Sequence, residues 1–439
     1  MTVELETEEV NKSSYPDSVK AGIPKLAPTP KGWEKAPLKK YLYEVRRPAK
    51  LVADELYKLV TVRRSRGGAK QREWLHGNQI KTKTQFFVEE GDFLISKRQI
   101  VHGACAVVPH ELNGAIVSNE YGILHSNGGI EINYLKYLSH TPYFQQTCFH
   151  SSIGVHVEKM IFRINKWLEW EFNIPPIGEQ IEITKILNTL SSVIESLEDQ
   201  INAKHKHRQS LANRLLAGKQ RFSEFIKTEE LHTTKFGQIP VDWGYVPIGK
   251  IAKHVSVKNN GGRKLPVLSC TKHSGLVDSA KYFGKRVYSE NLSTYKIVRH
   301  GTFAYATNHI EEGSIGYQNL YDEAVISPMY TAFQTTDAVD DDFLFKLLKT
   351  ELYRHIFEVS TSASVDRRGS LRWPEFQKIH IPLPSLPEQR KIATVLSAAD
   401  REIDQLTQKL DAYKQQKKGL MQQLLTGKKR VKLDHKEAA

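Results

Sequence analysis

The sequence predicts an internally duplicated α/β (α+β) protein. Two compact modules alternate with two long helices that pair as an antiparallel coiled coil, related by a pseudo-two-fold axis. Three observations carry this. Residues 174–180 (IPPIGEQ) and 383–389 (LPSLPEQ) each open a long helical pattern. The patterns close on nearly the same words, LLAGKQR at 215–221 and LLTGKKR at 424–430. Glu179 and Glu388 lie 209 residues apart, as do Gly218 and Gly427, so no insertion separates the landmarks.

The elements follow in order. Residues 1–29 are acidic, carry prolines near their end, and read as a mobile tail. The first module takes residues 30–174 and the first helical spacer 175–222. The second module takes 223–382, the second spacer 383–431, and a short tail 432–439. The modules match only weakly, through pairs such as Trp33 and Trp243, Phe93 and Phe303, Gly103 and Gly313, and Tyr121 and Tyr330. Both mix β-type runs (KLVTV at 58–62, LPVLSCT at 265–271) with glycine- and asparagine-rich turns. Neither shows a helix-turn-helix or zinc-finger pattern. Similar helices bearing dissimilar modules suggest one scaffold with two different readers.

The first helix carries the ladder Ile183, Leu187, Leu190, Ile194, Leu197 and Ile201, then Lys204 and Arg208, then Leu211 and Leu215. The second repeats every step, with Ile392, Leu396, Ala399, Ile403, Leu406, Leu410, Tyr413, Lys417, Leu420 and Leu424. Alternating steps of four and three make a coiled-coil seam. The expected partner of each helix is the other copy, and tandem copies would pack antiparallel, with the modules at opposite ends of a rod. Packing of each helix on its own module, or homodimerisation, are the alternatives. The seam charges Lys204, Arg208 and Lys417 either fix register, face a partner, or mark a solvated break. Ser385, Pro387 and Glu388 offer a cap, an early-turn proline and a capping-box acid. Gly218 and Gly427 sit where a helix end favours positive φ.

The formal net charge is +14. A chain this basic points to a polyanionic partner, with nucleic acid the first candidate. Residues 61–100 hold nine basic residues against four acids: Arg63, Arg64, Arg66, Lys70, Arg72, Lys81, Lys83, Lys97 and Arg98. Residues 256–300 hold nine against two, including Lys258, Arg263, Lys264, Lys272, Lys285 and Arg286. Glycines interrupt both stretches at Gly67–Gly68 and Gly261–Gly262 and let backbone approach a phosphate. Arg and Lys neutralise phosphates and bind guanine, and Gln71, Asn78, Gln79, Asn259, Asn260 and Asn308 have the groups to read adenine. An ordinary solvated face is the plainer alternative for any single residue.

No catalytic residue, metal site or cofactor is assigned. GK[ST], GxGxxG, HExxH and GxSxG are all missing from the sequence. The stretch Asn173-Ile174-Pro175-Pro176-Ile177 only approaches a methyltransferase Asn-Pro-Pro-aromatic motif and fits a helix entry better. Cys105, Cys148 and Cys270 are scattered, against a disulfide framework or zinc site. Without an apolar run of membrane length or a signal peptide, the expectation is a cytoplasmic protein.

The order of module, EQ helix, LLxGK end, module, LPEQ helix and LLxGK end resembles the specificity subunits of Type I restriction–modification systems. The resemblance covers about residues 30–431. Its most specific elements are Pro384-Ser385-Leu386-Pro387-Glu388-Gln389 before Lys391-Ile392, and the two LLxGKxR ends; GDFLISK (91–97) and AVISPMY (324–330) also look like target recognition domains. Ile177-Gly178 departs from the usual Leu-Pro before EQ. The resemblance implies two target recognition domains, each reading half of a bipartite, asymmetric site in double-stranded DNA, with the helices as a ruler between them. It implies two methyltransferase subunits that carry S-adenosylmethionine, two restriction subunits, and no cofactor or catalysis on this chain. A single-chain enzyme and a protein-binding coiled-coil adaptor are the rival readings.

Overall fold

The computed structural model describes residue 19 and residues 22–234, 237–361 and 370–432. Most of the acidic stretch expected to be a tail, and residues 433–439 of the C-terminal one, lie outside the described residues. Residues 27–29 are tied down: the Asn173 amide donates to the carbonyls of Ala27 (3.0 Å) and Pro28, and Thr29 Oγ1 donates to its oxygen.

In the first module, nine strands build two sheets. They are β1 (Leu42–Glu44), β2 (Pro48–Ala49), β3 (Leu56–Val62), β4 (Ala69–His76), β5 (Gln85–Phe87), β6 (Phe93–Ser96), β7 (Cys105–Val107), β8 (Ile116–Ser118) and β9 (Tyr121–Ser126). The four-stranded sheet runs β1-β9-β6-β7 and the five-stranded sheet β2-β5-β8-β3-β4. In the second module the corresponding strands are β10 (Ala252–Val255), β11 (Val257–Lys258), β12 (Val267–Thr271), β13 (Gly275–Asp278), β14 (Lys296–Arg299), β15 (Thr302–Ala306), β16 (Ile315–Gln318), β17 (Glu323–Ile326) and β18 (Tyr330–Thr335). Their sheets run β10-β18-β15-β16 and β11-β14-β17-β12-β13, the same order with every number raised by nine. Even the parallel pair recurs, β3 with β8 and β12 with β17. The modules are therefore far more alike than their residues suggest. Strand order is held by which side chains are buried, and many apolar side chains satisfy the same burial.

Two short helices follow each pair of sheets, α1 (Ile132–Leu138) and α2 (Pro142–His150) in the first module. The first long helix is α3 (Ile177–Leu215). Then come α4 (Asp341–Leu348) and α5 (Glu351–Ser360) in the second module, and the second long helix, α6 (Leu386–Leu424). The chain divides into two compact units, residues 1–197 with 409–439, and residues 198–408. Each unit contains one half of α3 and one half of α6.

Within the first unit, Ile183 and Leu187 of α3 share a core with Leu424 and Leu425 at the end of α6, Phe93 and Leu124 of the four-stranded sheet, and Tyr134 of α1. Within the second, Ile392 and Leu396 of α6 share a core with Leu215 and Leu216 at the end of α3, Phe303 and Phe333 of the sheet, and Phe343 of α4. The start of one helix thus lies against the end of the other, which is antiparallel pairing. Ile183, Leu187, Leu197, Leu215, Ile392, Leu396, Ile403, Leu410 and Leu424 are buried. Leu190, Ile194, Ile201, Leu211, Leu406 and Leu420 are half-buried.

A two-stranded ribbon closes each module, Glu34–Pro37 on Glu171–Ile174 and Gly244–Pro247 on His380–Leu383. It delivers a buried tryptophan to the helix start, and there the repeated words acquire their meaning. Trp33 Nε1 donates to Glu179 (3.0 Å), whose two oxygens also accept from Arg430 Nε and Nη2 (both 2.6 Å). Trp243 Nε1 donates to Glu388 (3.0 Å), which accepts from Arg221 Nε (2.9 Å) and Nη2 (3.0 Å). The Glu of each EQ therefore binds the Arg that ends the other helix, a bidentate charge-assisted clamp. Glu388 is thus no capping-box acid: its carboxylate faces a buried arginine rather than its own helix end. The neighbouring Gln180 and Gln389, both fully buried, accept from the backbone N–H of Glu131 and Asp340, the residues that cap α1 and α4.

Gly218 and Gly427 end the helices at φ +68 and +67. A Cβ there would lie 2.5 Å from Pro240 Cδ and 2.4 Å from Pro30 Cγ, so each glycine serves both conformation and close approach. The seam charges also find partners inside their own unit. Lys204 pairs with Glu402 (2.7 Å), and Arg208 grips Asp400 with two hydrogen bonds (2.7 and 3.1 Å). Lys417 lies 5.7 Å from the centre of the Tyr137 ring. Each of the three seam cations therefore has a partner within its own unit.

Candidate nucleic-acid interface

The five-stranded sheet sets the geometry. β3 and β4 form a hairpin, with Leu56 opposite His76 at one end and Val62 opposite Ala69 at the other. The turn 63–68 leaves from the second end. The connections 50–55 and 77–84 leave from the first. In the second module the corresponding turn is 272–274, and the connections are 259–266 and 279–295.

This placement separates residues that the sequence groups together. In the turn 63–68, Ser65 and Arg66 adopt positive φ, and their N–H groups donate to the carbonyls of His102 and Gly103 (both 2.8 Å). Arg64 is held by Gln99 (2.7 Å) and Glu158 (2.6 Å). Arg66 turns inward, with Nε donating to the carbonyl of Ser139 (2.9 Å), and burial lowers its pKa. Arg64 and Arg66 therefore dock this turn onto the module, and of the three arginines only Arg63 is free among the described residues. Asn259 also departs from its expected role. It is buried, donates to the carbonyls of Arg263 (2.9 Å) and Leu292 (3.2 Å), and accepts from Arg263 N–H (3.0 Å). It staples connection 259–266 to connection 279–295, so no base can reach it.

Of the other candidates, Arg72, Arg98, Arg263 and Arg286 are exposed but paired with Glu73, Glu120, Glu323 and Glu290. Lys97 is half-buried and donates to the carbonyl of Asn119 (3.2 Å). Lys83 reaches the carbonyl of Gly77 (3.4 Å). Lys70, Lys81, Lys258, Lys264, Lys272 and Lys285 are exposed, and their ammonium groups have no ion-pair partner among the described residues. Gln79 accepts from its neighbour His76 N–H, while Gln71, Asn78 and Asn260 are exposed.

Basic charge recurs at the hairpin turn, as Arg63 and Lys272, and, in both modules, at the connection that crosses from the outer hairpin to the other side of the five-stranded sheet. In the first module this connection presents Asn78, Gln79, Lys81 and Lys83. In the second it presents Lys285 and Arg286, together with two exposed aromatics, Tyr282 and Phe283, that the sequence reading missed. Their signal was available as aromatics inside a basic run, Lys281-Tyr282-Phe283-Gly284-Lys285-Arg286.

Among the described residues, His309, Glu311 and Glu312 place ligand atoms within 4.8 Å of one another on an exposed turn, without a further feature that points to a metal. The cysteines are free, and burial pushes the thiols of Cys105 and Cys270 up to about 11 and about 12, which keeps them protonated at neutral pH. No described helix is long and apolar enough to cross a membrane.

Comparison with known proteins converges on one family. Residues 240–413 match the family model described as the Type I restriction modification DNA specificity domain. The chain is thus similar, over its second module and much of its second long helix, to Type I restriction–modification specificity subunits. It is 29% identical over 296 residues to the Type I restriction enzyme MjaVIII specificity subunit of Methanocaldococcus jannaschii, covering 63% of this chain and 65% of that protein. It is 26% identical over 271 residues to the putative MjaX specificity subunit of the same organism, with 59% of each chain covered. The match thus spans just under two-thirds of these relatives' length. In fold it is similar to the crystal structure of the HsdS subunit from Thermoanaerobacter tengcongensis, with a TM-score of 0.51, 16% identity and coverage of 91% of this chain and 98% of that one. The S subunit from M. genitalium gives a TM-score of 0.54 at 14% identity, with 91% and 97% covered.

Proposed function

We propose that this chain is the DNA-reading, non-catalytic subunit of a Type I restriction–modification enzyme and recognises a bipartite, asymmetric site in double-stranded DNA, one half per module. The observation that carries the reading is that two modules of identical strand order present different side chains from the same basic connection. Different half-sites need different readers, while phosphate contacts mainly position them. The paired helices serve as the spacer that fixes the unspecified gap. Two methyltransferase subunits, holding S-adenosylmethionine, and two restriction subunits assemble on the chain in the cytoplasm. The duplicated scaffold offers one docking site to each of two like partners.

The test is a genome-wide map of N6-methyladenine in the host with and without this gene. Loss of one bipartite motif on deletion supports the reading and reveals both half-sites and the gap. An unchanged map in a host that expresses the chain with its partner subunits overturns it. Exchanging residues 240–375 for another module should then change one half of the motif and leave the other intact.

A further inference from the structure

Connection 279–295 is anchored at its base and bare at its tip. Leu292 is buried against Val267 and Val325, with Tyr288 and Tyr295 packed beside it. Asn259 ties the same stretch to connection 259–266. At the other end, a short helix, Ser279–Phe283, is capped by Asp278 and stopped by Gly284 at φ +63. Tyr282 and Phe283 stand there 53% and 43% exposed, their rings edge to face at 5.1 Å. Lys285 and Arg286 follow within three residues. Water gains nothing from two adjacent exposed aromatics, and a folded chain normally buries them. In the first module the corresponding connection, 77–84, carries no aromatic residue.

We propose that Tyr282 and Phe283 form an aromatic wedge that unstacks a base step in the half-site met by the second module. This rests on the DNA-reading function proposed above. Apolar side chains that enter between base steps kink the duplex and prefer the steps that unstack most readily. Lys285 and Arg286 supply the cations that hold the flanking phosphates while the step opens. The second half-site is then selected partly by deformability. The first is read from base edges by Asn78 and Gln79 without distortion, because its connection has nothing to insert.

The experiment uses the full-length chain with the subunits that co-purify from its host, and duplexes built on the motif from the methylation map. 2-Aminopurine is placed in turn at each step of both half-sites other than the adenines to be methylated, which the methyltransferase subunits extrude themselves. The expected result is a rise in fluorescence on binding at one step of the second half-site and at none of the first. Tyr282→Ala with Phe283→Ala abolishes the rise and weakens binding about tenfold. A mismatch that opens the step beforehand restores most of the loss. Lys285→Ala with Arg286→Ala weakens intact and mismatched duplexes alike and lowers the salt dependence, which separates the wedge from simple charge. Unaltered stacking on a tightly bound duplex, or equal affinity of the aromatic variant, overturns the wedge and leaves the DNA-reading function standing. Failure of the wild-type complex to bind any duplex in a salt-dependent way overturns both.

Discussion

The two units secure their helices with the same clamp but fill the adjoining junction with different chemistry. In the second unit Arg208 of α3 meets Asp400 of α6, and Lys346 of α4 joins the same carboxylate at 3.0 Å. The corresponding residues in the first unit, 209 positions away, are Lys417, Ser191 and Tyr137. There Lys417 lies on the Tyr137 ring, and the Tyr137 hydroxyl contacts Ser191 (3.1 Å) and donates to Asn188 (2.6 Å). One unit satisfies its seam cation with an ion pair, the other with an aromatic face. The clamp has no such latitude, because a carboxylate this deeply buried requires a cation or it must be neutralised.

The clamps themselves are unequal in depth. Arg221 is 7% exposed and holds Asp242 (2.7 Å) as well as Glu388. Arg430 is 41% exposed and, among the described residues, has one carboxylate, since Gly32 stands where Asp242 does in the other unit. The largest expected effect follows. Arg221→Ala should cost about 3–5 kcal/mol by leaving two carboxylates facing an empty site. Hydrogen exchange during denaturant unfolding should place the loss in residues 198–408; an equal loss in both units would mean that the clamps do not act locally.

The glycines sharpen the comparison in the other direction. Gly218→Ala and Gly427→Ala should each cost about 2 kcal/mol or more, since both combine positive φ with a rigid proline ring in the way. Melting curves of the two variants should shift alike, and a wide difference would break the equivalence of the helix ends. Arg430→Ala should cost less than Arg221→Ala, about 2 kcal/mol, because it strands the buried Glu179 carboxylate but only that one, and solvent reaches it from the arginine side. A midpoint shift as large as that of Arg221→Ala would contradict the difference in burial.

The smallest effect is a pH dependence. Burial acts to raise the Asp400 carboxyl, but the hydrogen bonds from Arg208 and Lys346 outweigh it and hold the group below its usual range. A depressed carboxylate contributes stability that is present above about pH 4 and lost as pH falls through the lower folded value. Asp400→Asn should therefore cost less than about 1 kcal/mol at neutral pH and flatten the acid limb for the second unit. Amide exchange between about pH 3 and 5 is the measurement, and an unchanged acid limb would show that the junction is electrostatically idle.

Much of the fold was legible because its signals are local. The steps of four and three, the prolines at the helix entries and the glycines at the exits act within a few residues of one another, and they set both long helices and the duplication. The candidate interface was legible only as a charge count. Arg66, Asn259 and Lys285 look alike as polar residues in glycine-rich loops, yet one is drawn toward the Ser139 carbonyl, one staples two connections, and one stands free.

The sequence alone determined the two helices, their shared seam and the repeat, since periodicity and helix termini depend on near neighbours. Only the tertiary structure decided that Glu179 belongs with Arg430, 251 residues away, and Glu388 with Arg221. It also decided that dissimilar modules share one strand order, and that the basic turn 63–68 and connection 279–295 leave their sheets from opposite ends. These outcomes rest on which groups can be buried together, and burial is a property of the packed chain rather than of any residue in it.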